Sequence, residues 1–135
     1  MAVWQADFSL VPASALPADF AAQLDGLLSR GRSWAPDLDT WGAEDGDRVD
    51  VWTEGARPAD ALVRFDLRAP DPAFAAGVLA FARRHGLRLR DVAGRTIEPV
   101  AGELALALRG SRAFRFVEHP ERYLTRLLVG GLADA

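Results

Sequence analysis

The sequence predicts an α+β fold of the ferredoxin-like, split βαβ kind: an antiparallel sheet with two helices on one face, an extra β-hairpin strand and two C-terminal helices. Three observations carry this. Four segments alternate apolar and polar residues, the pattern of half-buried strands. Two helices, each opened by a proline, fall between them, so that the order reads strand, helix, strand pair, helix, strand. The 135 residues, half of them apolar, suffice for one domain whose core needs no disulfide or structural metal. The expectation is a single domain over 1–135, with its core in 1–93 and a C-terminal helical appendage over 95–131.

Residues 4–10 alternate strictly, with Trp4, Ala6, Phe8 and Leu10 on one side and Gln5, Asp7 and Ser9 on the other. Pro12 ends this strand. Pro17 opens a helix with Asp19 in its first turn and Phe20, Leu24, Leu27 and Leu28 as its apolar stripe, and Gly31 stops it. The stretch 33–47 is acidic, carries Trp34 and Trp41, and shows little periodicity. Within it Asp45-Gly46 signals a two-residue hairpin turn with positive φ at both positions, joining a short strand at 38–43 to a longer one at 48–54. Val49, Val51 and Thr53 face one side of the longer strand; Asp50, Trp52 and Glu54 face the other.

After a turn at Gly55, residues 61–68 form the clearest strand. Val63, Phe65 and Leu67 are its apolar face and Arg64, Asp66 and Arg68 its charged face. Asp71-Pro72 reads as a helix N-cap followed by a first-turn proline. That helix runs to about His85 and closes at Gly86. Residues 87–92 alternate as a further strand. Pro99 begins a helix over 100–109, ended by Gly110, and 113–117 is left open between a short strand and a helical linker. Pro120 opens the last helix, 121–129, with Gly130-Gly131 as its stop and 132–135 as a frayed tail.

Composition narrows the function. There is no Cys, which removes thiolate metal sites, cysteine nucleophiles and disulfides. The formal charge is −3, against general nucleic-acid binding. No apolar run approaches the roughly 20 residues that span a bilayer. The first seven residues lack the charged and apolar regions of a signal peptide, so the expected location is cytoplasmic. All 16 basic residues are Arg, a pattern that GC-rich codon usage explains and that makes each cation a bidentate partner for carboxylates. Charge is uneven: 11 acidic against 4 basic side chains in 1–60, 8 against 12 in 61–135.

No catalytic constellation emerges. The two histidines, His85 and His119, are isolated, with no HExxH or GxSxG motif. Asp66 between Arg64 and Arg68 suits a structural ion pair better than a general base. An EF-hand alignment starting at Asp37 puts Trp41 at position five and Arg48 at twelve, so the bidentate ligand is missing and no metal or cofactor is expected. Trp34 and Trp41 beside Asp37 and Asp39 read as local core more than as a sugar-stacking pair. What remains is the polar sheet face. Asp7, Trp52, Arg64, Asp66, Arg68 and Arg90 form either a wet ladder of ion pairs or a recognition platform anchored by Trp52, with Trp41 and Asp45 as further candidates from the acidic loop. The expected function is a small binding module acting on a protein partner or a second copy of itself. The alternative is a small-molecule ligand, or a small enzyme, with a pocket between the sheet and the C-terminal helices.

Overall fold

The computed structural model of the chain describes residues 2–69 and 71–133. Its elements, in order, are β1 (Gln5–Val11), α1 (Phe20–Asp25), β2 (Leu38–Gly42), β3 (Arg48–Glu54), β4 (Arg57–Asp66), α2 (Pro72–Arg84), β5 (Arg88–Asp91), β6 (Thr96–Ile97), α3 (Ala101–Arg109), α4 (Arg112–Phe116) and α5 (Pro120–Ala133). The fold is α+β. All six strands form one antiparallel sheet in the order β2-β3-β4-β1-β5-β6.

The register follows from the alternation. Phe8 lies opposite Val63, and Val63 opposite Val49, so the apolar residues of three strands fall on one inner face. Ala6, Leu10, Val51, Phe65 and Leu89 join them there, almost entirely buried. Phe65 sits at the centre, edge-on to Phe8 at 5.8 Å and 5.6 Å from Phe74 of α2. Phe20 of α1 meets Phe81 of α2 at 4.8 Å. Leu104, Leu108, Tyr123, Leu124 and Leu127 belong to the same cluster, so α3 and α5 extend the helical layer over the inner face. No helix among the described residues is long and apolar enough to cross a membrane.

Helix α2 begins as its sequence requires. Pro72 occupies its first turn and the Asp71 carboxylate accepts the Phe74 N–H at 3.0 Å. The stretch left open at 113–117 is the short helix α4, capped by the Ser111 hydroxyl, which accepts from Phe114 N–H.

Four expectations are corrected. The first helix ends at Asp25, well before Gly31, because Gly26 closes it and residues 29–31 instead run beside β2. There the Gly31 N–H donates to Thr40 O and the Gly42 N–H to Ser29 O, both at 2.8 Å. The β2–β3 connection is a five-residue loop, 43–47, in which neither Asp45 nor Gly46 has positive φ. The reversal is made instead by Gly42, at φ 93°. A side chain there is excluded, since a Cβ would stand 2.1 Å from Asp47 O. Helix α5 continues through Gly130-Gly131 to Ala133, because a glycine weakens a helix by about 1 kcal/mol without forbidding it. The rest of the expected tail, 134–135, lies outside the described residues. Finally, Arg68 does not extend the charged face of its strand, because β4 ends at Asp66.

Candidate functional site

The outer face of the sheet is polar by the same alternation that makes the inner face apolar. The register sets Asp7 opposite Arg64 and Arg64 opposite Arg48 in one row across β1, β4 and β3. Like charges on neighbouring strands repel unless carboxylates separate them. Here they do. Arg64 Nε stands 3.2 Å from both oxygens of Asp7, and its Nη1 lies 3.5 Å from Asp50 Oδ2. Asp50 Oδ1 accepts from Arg48 Nε at 2.7 Å. The result is a neutral chain, Asp7–Arg64–Asp50–Arg48, whose four side chains are largely buried. Burial raises the Asp7 carboxyl above its ordinary value, outweighing the lowering pull of Arg64. Asp7, Arg64 and Asp50 are scaffolding: each of these charges is already answered, which suits neither acid–base chemistry nor capture of a charged substrate.

Above this row the outer face becomes less charged. Asp50, Leu62, Ser9 and Arg90 lie side by side across β3, β4, β1 and β5. The next row holds Trp52 beside Asp60, and Val11 beside Arg88. Trp52 is 40% exposed, Leu62 on the neighbouring strand is half-buried, and so is Val11 on the strand beyond it. Arg88 reaches Glu98 at 2.8 Å on the exposed rim, and Arg90 has no ion-pair partner among the described residues. Asp60 is exposed on β4, while Glu54, beyond the bulge at Trp52/Thr53, lies opposite Arg57 and off this face. The face therefore carries an exposed acid, Asp60, on β4 and a base, Arg90, on β5.

The remaining predicted residues lie elsewhere. Asp66 and Arg68 close a separate cluster at the end of β4. Asp66 accepts from Arg68 Nη2 at 3.0 Å, and the Arg68 guanidinium lies 4.0 Å over the Trp4 ring. The Asp45 carbonyl accepts from Trp4 Nε1 at 2.6 Å and from Arg68 Nη2 at 2.8 Å, so the acidic loop is pinned down over β1, with Gln5 Nε2 reaching Gly46 O. Trp41 faces inward, fully buried, and donates its Nε1–H to Asp25 Oδ1 at 2.8 Å. That bond and the Arg30 guanidinium hold the Asp25 carboxyl below its ordinary range. Trp41 thus behaves as core; Trp34, expected to do the same, does not. It is 59% exposed and lies on the outer side, its ring 4.2 Å from the Arg48 guanidinium.

Two polar atoms stand out that sequence reading did not single out. Arg48 Nη2 and Tyr123 Oη are buried without a hydrogen-bond partner among the described residues. A buried donor left in this state costs about 1–3 kcal/mol. Arg48 borders an open hollow of about 510 Å³ with Arg32, Trp34, Thr40 and Glu44 on its walls. Tyr123 lies beneath the end of the sheet near Asp47, Asp66 and Asp71, and burial raises its hydroxyl well above the ordinary value. Neither was legible in advance, because each depends on which loop folds over the sheet. Alternation in β3 did place Arg48 on the same face as Asp50 and Trp52, the one available signal.

Among the described residues no three His, Asp or Glu side chains are grouped to hold a metal ion. Comparison with protein-family models, with curated proteins and with solved structures finds no match.

Proposed function

We propose that this chain is a small binding module that associates with a second copy of itself through the outer face of its sheet. One observation carries the reading: Trp52, Leu62 and Val11 share the outer face with an exposed acid, Asp60, on β4 and a base, Arg90, on β5. A twofold axis along the strands, between β4 and β1, would bring Asp60 of one copy toward Arg88 and Arg90 of the other. The contact is then isologous and charge-complementary, as closed dimers require. Trp52 supplies the aromatic anchor and the buried ion-pair chain beneath keeps the face rigid. The alternative, a pocket between the sheet and the C-terminal helices, would use a hollow of about 150 Å³ between Asp7 and Asp91 on one side and Ala107 and Arg112 on the other, where Asp7 is already met by Arg64.

Light scattering over a concentration series tests it. The wild-type chain should give twice the monomer mass. Trp52→Ala should shift the equilibrium to monomer, as should Arg90→Glu, and adding Asp60→Arg to the latter should restore the dimer. A concentration-independent monomer would overturn self-association and leave a different protein as the occupant of the face. The strand order around β3, β4, β1 and β5, with α1 and α2 between, supports placing this chain in the split βαβ, ferredoxin-like group. Its composition and the absence of a spanning helix among the described residues are compatible with the cytoplasm.

A further inference from the structure

We infer that the hollow between Trp34 and Arg48 is a binding site for a small organic oxyanion, a carboxylate or a phosphate ester. Arg48 is the centre of the argument. Its side chain is only 6% exposed, and Asp50 takes its Nε, but Nη2 has no acceptor among the described residues. Asp50 cannot answer the whole guanidinium, because its second oxygen faces Arg64. The ion-pair chain therefore ends at Arg48 with an unused donor, the arrangement that a bidentate anion completes.

The walls of the hollow fit that chemistry. Arg32 is a second, exposed cation on the rim, with no ion-pair partner among the described residues. Glu44 is the single carboxylate on the walls, while Asp50 meets Arg48 only at Nε. Trp34 roofs Arg48 on one ring face and is otherwise exposed, a stacking surface for the organic part of the ligand. The loop bearing Trp34 is held down by the Ser33 hydroxyl, whose one proton is shared between Ala35 O and Leu38 O. The floor is held close by Gly31, where a Cβ would stand 2.7 Å from Thr40 Oγ1. A volume of about 510 Å³ exceeds a bare oxyanion and falls in the ordinary range for small-ligand pockets.

The site lies at the Gly42–Arg48 end of the sheet, away from the Trp52 strip, so it stands or falls apart from self-association. Tryptophan fluorescence and the indole N–H resonance of Trp34 report on it directly. Sodium phosphate and sodium benzoate would each be titrated against sodium chloride at equal ionic strength. Saturable shifts of the Trp34 resonance are expected with at least one of the two; which one tells a phosphate site from a carboxylate site. Arg32→Ala, on the exposed rim, should weaken binding ~10-fold or more, as loss of one charge-assisted contact does. Arg48→Met, checked for folding by circular dichroism, should abolish it, and Trp52→Ala should leave it intact. No saturable response beyond chloride with either probe, or an equal response in the Arg32→Ala chain, would overturn the assignment.

Discussion

Replacing Asp47 by Asn probes the least comfortable group in the molecule. Asp47 closes the 43–47 loop, and its Oδ1 accepts the Asp66 N–H at 2.7 Å. Burial pushes its carboxyl up from 3.8 to about 7, against the lowering effect of that hydrogen bond, with Asp71 and Asp66 adding like-charge repulsion. Tyr123, the other titratable group facing it, stays neutral across this range. Between pH 4 and pH 7 the folded chain therefore binds a proton that the unfolded chain has released. The stability this proton contributes is present in full below about pH 4 and is lost as pH rises through 7. At about 1.36 kcal/mol per pH unit the ceiling is about 4 kcal/mol, and about 2 kcal/mol is expected for a group that keeps some contact with water. Asparagine preserves the acceptor and cannot ionise. Urea unfolding followed by tryptophan fluorescence should show Asp47→Asn stabilising by about 2–4 kcal/mol at pH 8 and by almost nothing at pH 4. The reasoning is refuted if the variant is less stable than wild type at pH 8, or if its effect is the same at both pH values.

Three further outcomes follow from the packing. Phe65→Ala, at the point where Phe8 and Phe74 converge, should cost about 3–5 kcal/mol in the same assay; less than about 1 kcal/mol would mean that the core lies on the other face. Arg64→Ala leaves Asp7 and Asp50 buried without their shared cation and should cost about 3–5 kcal/mol, with little change between low and high salt because the pair is shielded from solvent. Gly42→Ala forces an L side chain into positive φ against the Asp47 carbonyl, and a loss of at least about 1–3 kcal/mol should appear as a lower urea midpoint.

What could be read from sequence was whatever period alone decides. Alternation placed Phe8, Val63, Val49 and Phe65 inside and Asp7, Arg64 and Asp50 outside, and the Asp71-Pro72 pair marked the start of α2 to the residue. Because neighbouring strands had to bring opposite charges together, the ion pairs of Arg64 and Asp7 were legible too. The failures share one cause: local signals lost to tertiary pairing. Leu27 and Leu28 continue the helical stripe of α1, but the chain gains more by setting 29–31 against β2. Asp45-Gly46 has the composition of a tight turn, yet its carbonyls are needed by Trp4, Arg68 and Gln5, which widens the connection to five residues. Trp34 looked like core because tryptophan usually is; its partner, Arg48, is remote in sequence. Arg90 shows the limit of the charge argument, since no neighbouring strand supplies it with a carboxylate among the described residues.

Contact of the outer sheet face with a second copy of the chain is open to chemical cross-linking. The lack of native cysteine makes a direct test available. Ser9→Cys places a thiol on β1 beside Leu62, next to the proposed twofold axis, and Leu106→Cys places one on the exposed side of α3. A bismaleimide spanning ~10 Å, the spacing of two packed sheets, would be added to each variant in dilute solution. Rapid conversion to a covalent dimer is expected of the Ser9→Cys chain, and none of Leu106→Cys. Equal yields from the two, or cross-linking of Leu106→Cys alone, would contradict it.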